Sequence, residues 1–214
     1  MSITVHEKKR DYADKYNVCV LMGAAKAATG VPDTMVINHG VGGCRMAMEH
    51  LRSDNVPDGI FVPIISTAPD QASVIYGGGK KLDITLEHAV VEAKKRKTPI
   101  KAMWIFTSCA TSMIGDDINA AAKKIEDKYK IKVIPLDTPG FLGGEQKGHE
   151  KVFCALVDNY AKKDIKKSGN SINILAPHLI GSKFWPWDHQ EMVRLLGAAA
   201  VSYTHLTLPT IYSV

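Results

Sequence analysis

Short β-branched or apolar runs alternate along this chain with longer segments of helical periodicity, and that alternation constrains the fold most. The strand-like runs are residues 34–38, 60–65, 73–76, 101–106, 131–136 and 172–175. Between them, residues 83–97 place Ile84, Leu86, Ala89, Val90 and Ala93 near a 3.6-residue period and end in four basic residues before Pro99. Residues 116–130 repeat the scheme, with Asp116 and Asp117 at the start and lysines at the end, the arrangement a helix dipole favours. Segments 151–163 and 188–200 are two further helices. Strands hydrophobic enough to be buried on both faces, each followed by a helix, predict an α/β fold with a Rossmann-like parallel sheet flanked by helices. The polar stretch 162–170 reads as a helix-to-strand connection within one domain.

Composition narrows the function classes. Apolar residues make up 45% of the 214 and charged residues 23%, which is globular usage and not that of a disordered chain. No apolar run is long enough to span a membrane, and residues 1–16 form a polar lead without a secretory signal, so a cytoplasmic location is expected. A net charge of +5, thinly spread, gives no footprint for nucleic acid. The last fourteen residues, 201–214, are Thr-rich, contain Pro209 and break the pattern; they are expected to be a non-native tail on a truncated domain spanning 17–200.

Two glycine-rich stretches invite a phosphate-binding reading, and both fail it. Gly77-Gly78-Gly79-Lys80-Lys81 has Val74 where a P-loop needs glycine and Lys81 where it needs Ser or Thr. In Gly40-Val41-Gly42-Gly43-Cys44-Arg45, Arg45 stands in place of the third glycine of a dinucleotide fingerprint. The eight histidines include no pair spaced for one helical face.

The cysteines carry the chemistry. Cys19 lies in an apolar turn of small residues, Cys44 ends the glycine-rich loop after the first strand, and Cys109 follows the 101–106 strand. The last two therefore fall at the carboxyl edge of a parallel sheet, where ligands of open α/β folds collect. Cys154 sits mid-helix in Val152-Phe153-Cys154-Ala155-Leu156 and reads as core. Cysteines without a close pair argue against structural zinc. Widely spaced thiolates among small residues suit an iron–sulfur cluster, against the alternative of three buried structural cysteines. Three ligands from one chain leave a four-iron cluster one short, which points to a subunit interface.

Four ordered motifs add a resemblance. Asn38-His39-Gly40-Val41-Gly42-Gly43-Cys44 resembles the HGPVGC segment of nitrogenase component 1, and Ser108–Ile118 resembles its CPxGxIGDDI segment. Ile75–Leu82 resembles VFGGxKKL, and Gly140-Phe141 with Gly148-His149 resembles a later GF and GH pair. The separations of 25 residues from Cys19 to Cys44 and 65 from Cys44 to Cys109 are close to those of the family's three cluster ligands.

The resemblance implies that Cys19, Cys44 and Cys109 are metal ligands holding a cluster shared with a second component 1 subunit. That cluster would be of the 4Fe–4S or eight-iron P-cluster type. It implies electrons delivered by an iron protein, a homodimeric ATPase, and passed to a reducible substrate. It also implies that the chain is an N-terminal part of a longer oxidoreductase subunit, inactive alone. Departures from the alpha-subunit pattern point to a nitrogenase-like member: no long extension before Cys19, Gly43 and Arg45 around Cys44, and Ala110-Thr111 after Cys109. A non-catalytic scaffold for metallocofactor assembly is the second reading, and a metal-free α/β binding module the third. Ser108 reads as a strand-end hydroxyl, His149 as a weak candidate near a substrate cavity, and Asp116 and Asp117 as structural.

Overall fold

A computed structural model describes residues 18–53, 62–95, 100–161, 171–174, 185–198 and 202–205. The polar lead, the 162–170 connection and the chain beyond 205 lie outside the described residues. Strands β1 (Thr34–His39), β2 (Ile64–Ser66), β3 (Ala102–Thr107) and β4 (Lys132–Leu136) form one sheet in the order β2-β1-β3-β4. All three pairings are parallel, with Val36 opposite Ile64 and Trp104, and Trp104 opposite Ile134.

Period-two alternation sends side chains to both faces of this sheet. Val36, Trp104, Phe106 and Ile134 pack on one face, against helices α1 (Val20–Thr29), α2 (Gly42–Ser53) and α7 (Glu145–Tyr160). Met35, Ile37, Met103, Ile105 and Val133 pack on the other. They lie against α4 (Gly79–Lys95) and α6 (Ile118–Tyr129), through Leu82, Leu86, Ala89, Ala121 and Ile125. This is the doubly wound α/β arrangement that the alternation predicts. The chain leaves β1 toward β2 by α2 and returns past β1 to β3 by α4, so the strand order reverses between β1 and β3. Their carboxyl ends, His39 and Thr107, flank that switch point.

Several local expectations are corrected. Residues 73–76 are not a strand but part of helix α3 (Gln71–Tyr76). The Asp70 side chain caps it by accepting from the Ser73 N–H at 2.9 Å, and none of its residues is buried, so β-propensity has nothing to pack against. The small-residue turn that carries Cys19 runs into helix α1, as its Ala, Leu and Met content favours. The loop carrying Cys44 becomes helix α2 at Gly42, and a further short helix, α5 (Cys109–Ile114), begins at Cys109 itself. Helix α7 starts six residues earlier than the 151–163 pattern, at Glu145. Its buried stripe is Gly148, Val152 and Ala155, which leaves Cys154 exposed and not in the core.

Helix α7 and the strand that follows it bracket the 162–170 connection, and that strand does not join the first sheet. Strand β5 (Ser171–Ile174) pairs in parallel with β6 (Ser202–His205), with α8 (Trp185–Ala198) between them in sequence, and joins a separate two-stranded sheet. The β4 edge gives a reason. The Val133 N–H is taken by Glu126 Oε1 at 2.9 Å, and Pro135, two residues on, has no N–H. An edge strand with these two donors taken or missing is a poor template for another strand. Among the described residues no helix is long and apolar enough to cross a membrane.

Candidate functional site

The three cysteines singled out by the sequence all ride at the amino end of a helix. Cys19 is the extended N-cap of α1 (φ −76°, ψ 171°). Cys44 lies in the first turn of α2, its N–H donating to the Val41 carbonyl at 3.1 Å. Cys109 opens α5 behind its N-cap Ser108, which exchanges a capping box with Thr111.

The loop after β4 brings two of the thiols to one place. Gly140, in a 3-10 turn at Gly140–Leu142, donates its N–H to Cys109 Sγ at 3.1 Å. A Cβ built on Gly140 would lie 3.2 Å from Cys109 Sγ, 3.2 Å from Cys19 Cβ and 3.5 Å from Cys19 Sγ. Both sulfurs thus border the one space that a side chain here would fill. Cys19 reaches this loop through a backbone bridge to Gly144, and Val20 N–H donates to the Gly143 carbonyl at 3.2 Å. Cys44 stands near enough to both to be influenced by them. Burial, and then the neighbouring Cys19 and Cys109 sulfurs, push its thiol above the usual range. Among the described residues no three His, Cys, Asp or Glu side chains close in on a single ion.

Cys19 is anchored from behind by the crossing of α1 and α7. A Cβ on Gly148 would come within 2.1 Å of the Val20 carbonyl oxygen, so the helices approach too closely for any side chain there. Lys26 Nζ meets Glu145 Oε2 at 2.6 Å beside the same contact. His149 follows Gly148 on α7, half-buried, and burial is the main cause that lowers its pKa.

The switch point holds a group that sequence reasoning passed over. His39 is fully buried, its Nε2 2.9 Å from Asp116 Oδ2 and its Nδ1 3.1 Å from Thr67 Oγ1. Desolvation lowers its pKa and outweighs the Asp116 carboxylate, which acts in the opposite direction. Asp116 also accepts the Gly78 N–H at 2.9 Å. Asp117 is the N-cap of α6, accepting from Ala120 N–H at 2.9 Å. Both acids are structural, but Asp116 lies ahead of the helix and answers His39 and Gly78 instead of the helix dipole. The glycine run that failed as a phosphate loop is therefore a close-packing site, where a Cβ on Gly78 would lie 2.7 Å from Asp116 Oδ2. Ser108 is buried and within 3.4 Å of Thr111 Oγ1, as a strand-end hydroxyl would be.

The family model for nitrogenase component 1 type oxidoreductases matches residues 19–211. The chain belongs to that family. Among curated relatives of this component 1 type chain is a nitrogenase iron-molybdenum cofactor biosynthesis protein NifE of Clostridium pasteurianum. It is 30% identical, over 78% of the chain and 36% of the relative. The vanadium-iron protein beta chain of Trichormus variabilis is 28% identical over 76% of the chain and 36% of the relative. A molybdenum-iron protein alpha chain of Methanothermobacter thermautotrophicus is also 28% identical, over 66% of the chain and 32% of the relative. The chain spans about a third of the length of these relatives. The solved structure described as nitrogenase Cp1 at pH 6.5 shares the fold, with a TM-score of 0.70 over 95% of this chain and 42% of that one, at 21% identity.

Proposed function

We propose that this chain is part of a component 1 type subunit that relays electrons from an ATP-dependent iron protein to a reducible substrate. The relay runs through an iron–sulfur cluster held by Cys19, Cys44 and Cys109. The observation that carries the reading is Gly140: a residue without a side chain, bordered by two of the thiols, whose N–H already points at the Cys109 sulfur. An iron–sulfur cluster is bulky, needs small neighbours, and has its potential set by N–H···S bonds and burial. The chemistry such a cluster supplies is one-electron transfer at low potential.

This chain's own residues supply the rest. All three ligand cysteines lie at helix amino ends. Half-buried Cys44, disfavoured as an isolated thiolate, gains from a cationic partner. Three thiolates leave a 4Fe–4S cluster one ligand short, and a second component 1 subunit, identical or related, completes it or an eight-iron P-cluster. Exposed Val41, Met46, Met113 and Phe141 lie close in sequence to the three cysteine segments and are apolar surface of the kind a subunit interface covers. The assembly is read as cytoplasmic, without membrane or nucleic-acid partners.

Anaerobic reconstitution of the chain with ferrous iron and sulfide tests this. A charge-transfer band near about 400 nm and iron retained through gel filtration are expected, and both should be lost in Cys44→Ala and Cys109→Ala. Full iron and sulfide in those variants would overturn the ligand set, and a colourless wild type would favour a metal-free α/β module.

A scaffold on which a metallocofactor is assembled is the second reading, supported by the 30% identity to a cofactor biosynthesis protein. The two part on turnover by the full-length subunit. A relay oxidises many equivalents of iron protein with ATP and substrate, whereas a scaffold releases a preformed cluster to an acceptor.

A further inference from the structure

His39 is placed where the two halves of the thiol site meet. It ends β1 five residues before Cys44, and its strand partner in β3 is Thr107, two residues before Cys109. Its carbonyl oxygen accepts the Ser108 N–H at 3.0 Å and the Thr111 hydroxyl, the two residues that cap the helix opened by Cys109. Its ring reaches the turns after β2 and α5 through Thr67 and Asp116.

One neutral tautomer satisfies this whole set. Thr67 Oγ1 already accepts the Gly40 N–H at 3.1 Å, so its proton is free to donate to His39 Nδ1. His39 Nε2–H then donates to Asp116, which also accepts from Gly78. Gly40, fixed in this way, begins the turn that leads to Cys44; its carbonyl accepts from Ser66 Oγ at 2.9 Å and from the Ala68 N–H at 3.1 Å. The ring bonds of His39 are long-range, to Thr67 and Asp116.

We infer that His39 is a positioning residue of the thiol site: its ring, through Thr67 and Asp116, fixes the Gly40 turn that leads to Cys44, while only its backbone carbonyl meets the Ser108–Thr111 cap of the Cys109 helix. The inference deepens the cluster reading above and rests on it for its purpose, though its geometry is independent of any bound group. Cys19 is held separately, by the α1–α7 crossing and the Gly143–Gly144 bridge, so a defect in the His39 ring should reach Cys44 and spare Cys19.

The test compares wild type, His39→Gln and Asp116→Asn by the rate at which iodoacetamide alkylates each cysteine of the metal-free chain, read by peptide mass spectrometry. Cys154, exposed on α7, is the internal reference. In His39→Gln, half-buried Cys44 should react at least about five-fold faster, the factor that a 1 kcal/mol loss of local order gives, while Cys109, already exposed and capped against the backbone at residue 39, should change little. Cys19 and Cys154 should be unchanged. Asp116→Asn should stay near wild type, because the tautomer can reverse: Nδ1–H donates to Thr67, Nε2 accepts from the new amide, and the amide oxygen keeps the Gly78 N–H. An unchanged Cys44 rate in His39→Gln, or an equal rise at all four cysteines, would overturn the inference. A wild type that takes up no iron would defeat the cluster reading while leaving the alkylation pattern to decide His39.

Discussion

The Gly140 N–H donates to Cys109 Sγ across 3.1 Å, and the same glycine presents a bare Cα to Cys19. Gly140→Ala puts a methyl 3.2 Å from Cys109 Sγ and from Cys19 Cβ, a tight contact that Cys109 relieves by turning its sulfur away and Cys19 only by a slight shift of its backbone. The metal-free chain should lose no more than about 1–3 kcal/mol, the cost of one extra methyl in a packed site. Iron uptake on reconstitution should fall to less than half. Wild-type uptake with a shifted melting temperature would show that this glycine serves packing alone.

Asp116 and Asp117 are neighbours with unequal duties. Asp117→Ala removes one N-cap and should cost about 1 kcal/mol in urea unfolding. Asp116→Ala strands the buried His39 Nε2–H and the Gly78 N–H, each worth about 1–3 kcal/mol when unpaired, so it should cost clearly more. Equal costs would contradict the role given to Asp116.

What the sequence made legible follows from periodicity. The parallel sheet, helices α4 and α6 and the edge positions of Cys44 and Cys109 all come from runs whose burial on both faces leaves a plain apolar signature. Helix α3 was missed because Val74, Ile75 and Tyr76 read as strand, while the deciding interaction is one Asp70 cap. Cys154 was misplaced because an apolar neighbourhood does not say which side of a helix faces the core. The His39–Asp116 pair was invisible because its partners are 77 residues apart and meet only at the strand reversal. The importance of Gly140 is likewise an absence of atoms at a long-range contact.

The α1–α7 crossing should be intolerant of any side chain. At Gly148→Ala the new Cβ meets backbone, 2.1 Å from the Val20 oxygen and 2.4 Å from the Ala24 nitrogen, and backbone cannot turn aside. A loss of at least about 3 kcal/mol is expected in denaturant unfolding. Lys26→Met should cost less, because Glu145 can turn to solvent. A stable Gly148→Ala chain would mean that the helices are not in this contact.

Buried histidine sets a pH dependence whose sign can be stated. The His39 pKa is lowered on folding, so the unfolded chain binds the extra proton as pH falls below about 6.5. Its contribution to stability is therefore complete above that pH and is lost progressively below it, until the folded pKa is reached. His149 is lowered as well and adds the same sign, with Glu145 and Lys26 opposing each other beside it. Urea midpoints should drop between pH 7.5 and 5.5, and the drop should shrink in His39→Gln. A midpoint that rises on acidification would contradict the neutral, buried state of His39.

The central claim is that Cys19, Cys44 and Cys109 act together while Cys154 does not. Iron and acid-labile sulfide per chain, measured after anaerobic reconstitution of the wild type and the four single Cys→Ala variants, test it most directly. The account predicts wild-type loading for Cys154→Ala and loss of most iron and sulfide in each of the other three. Loading that is indifferent to Cys19, Cys44 and Cys109, or that depends on Cys154, would contradict it.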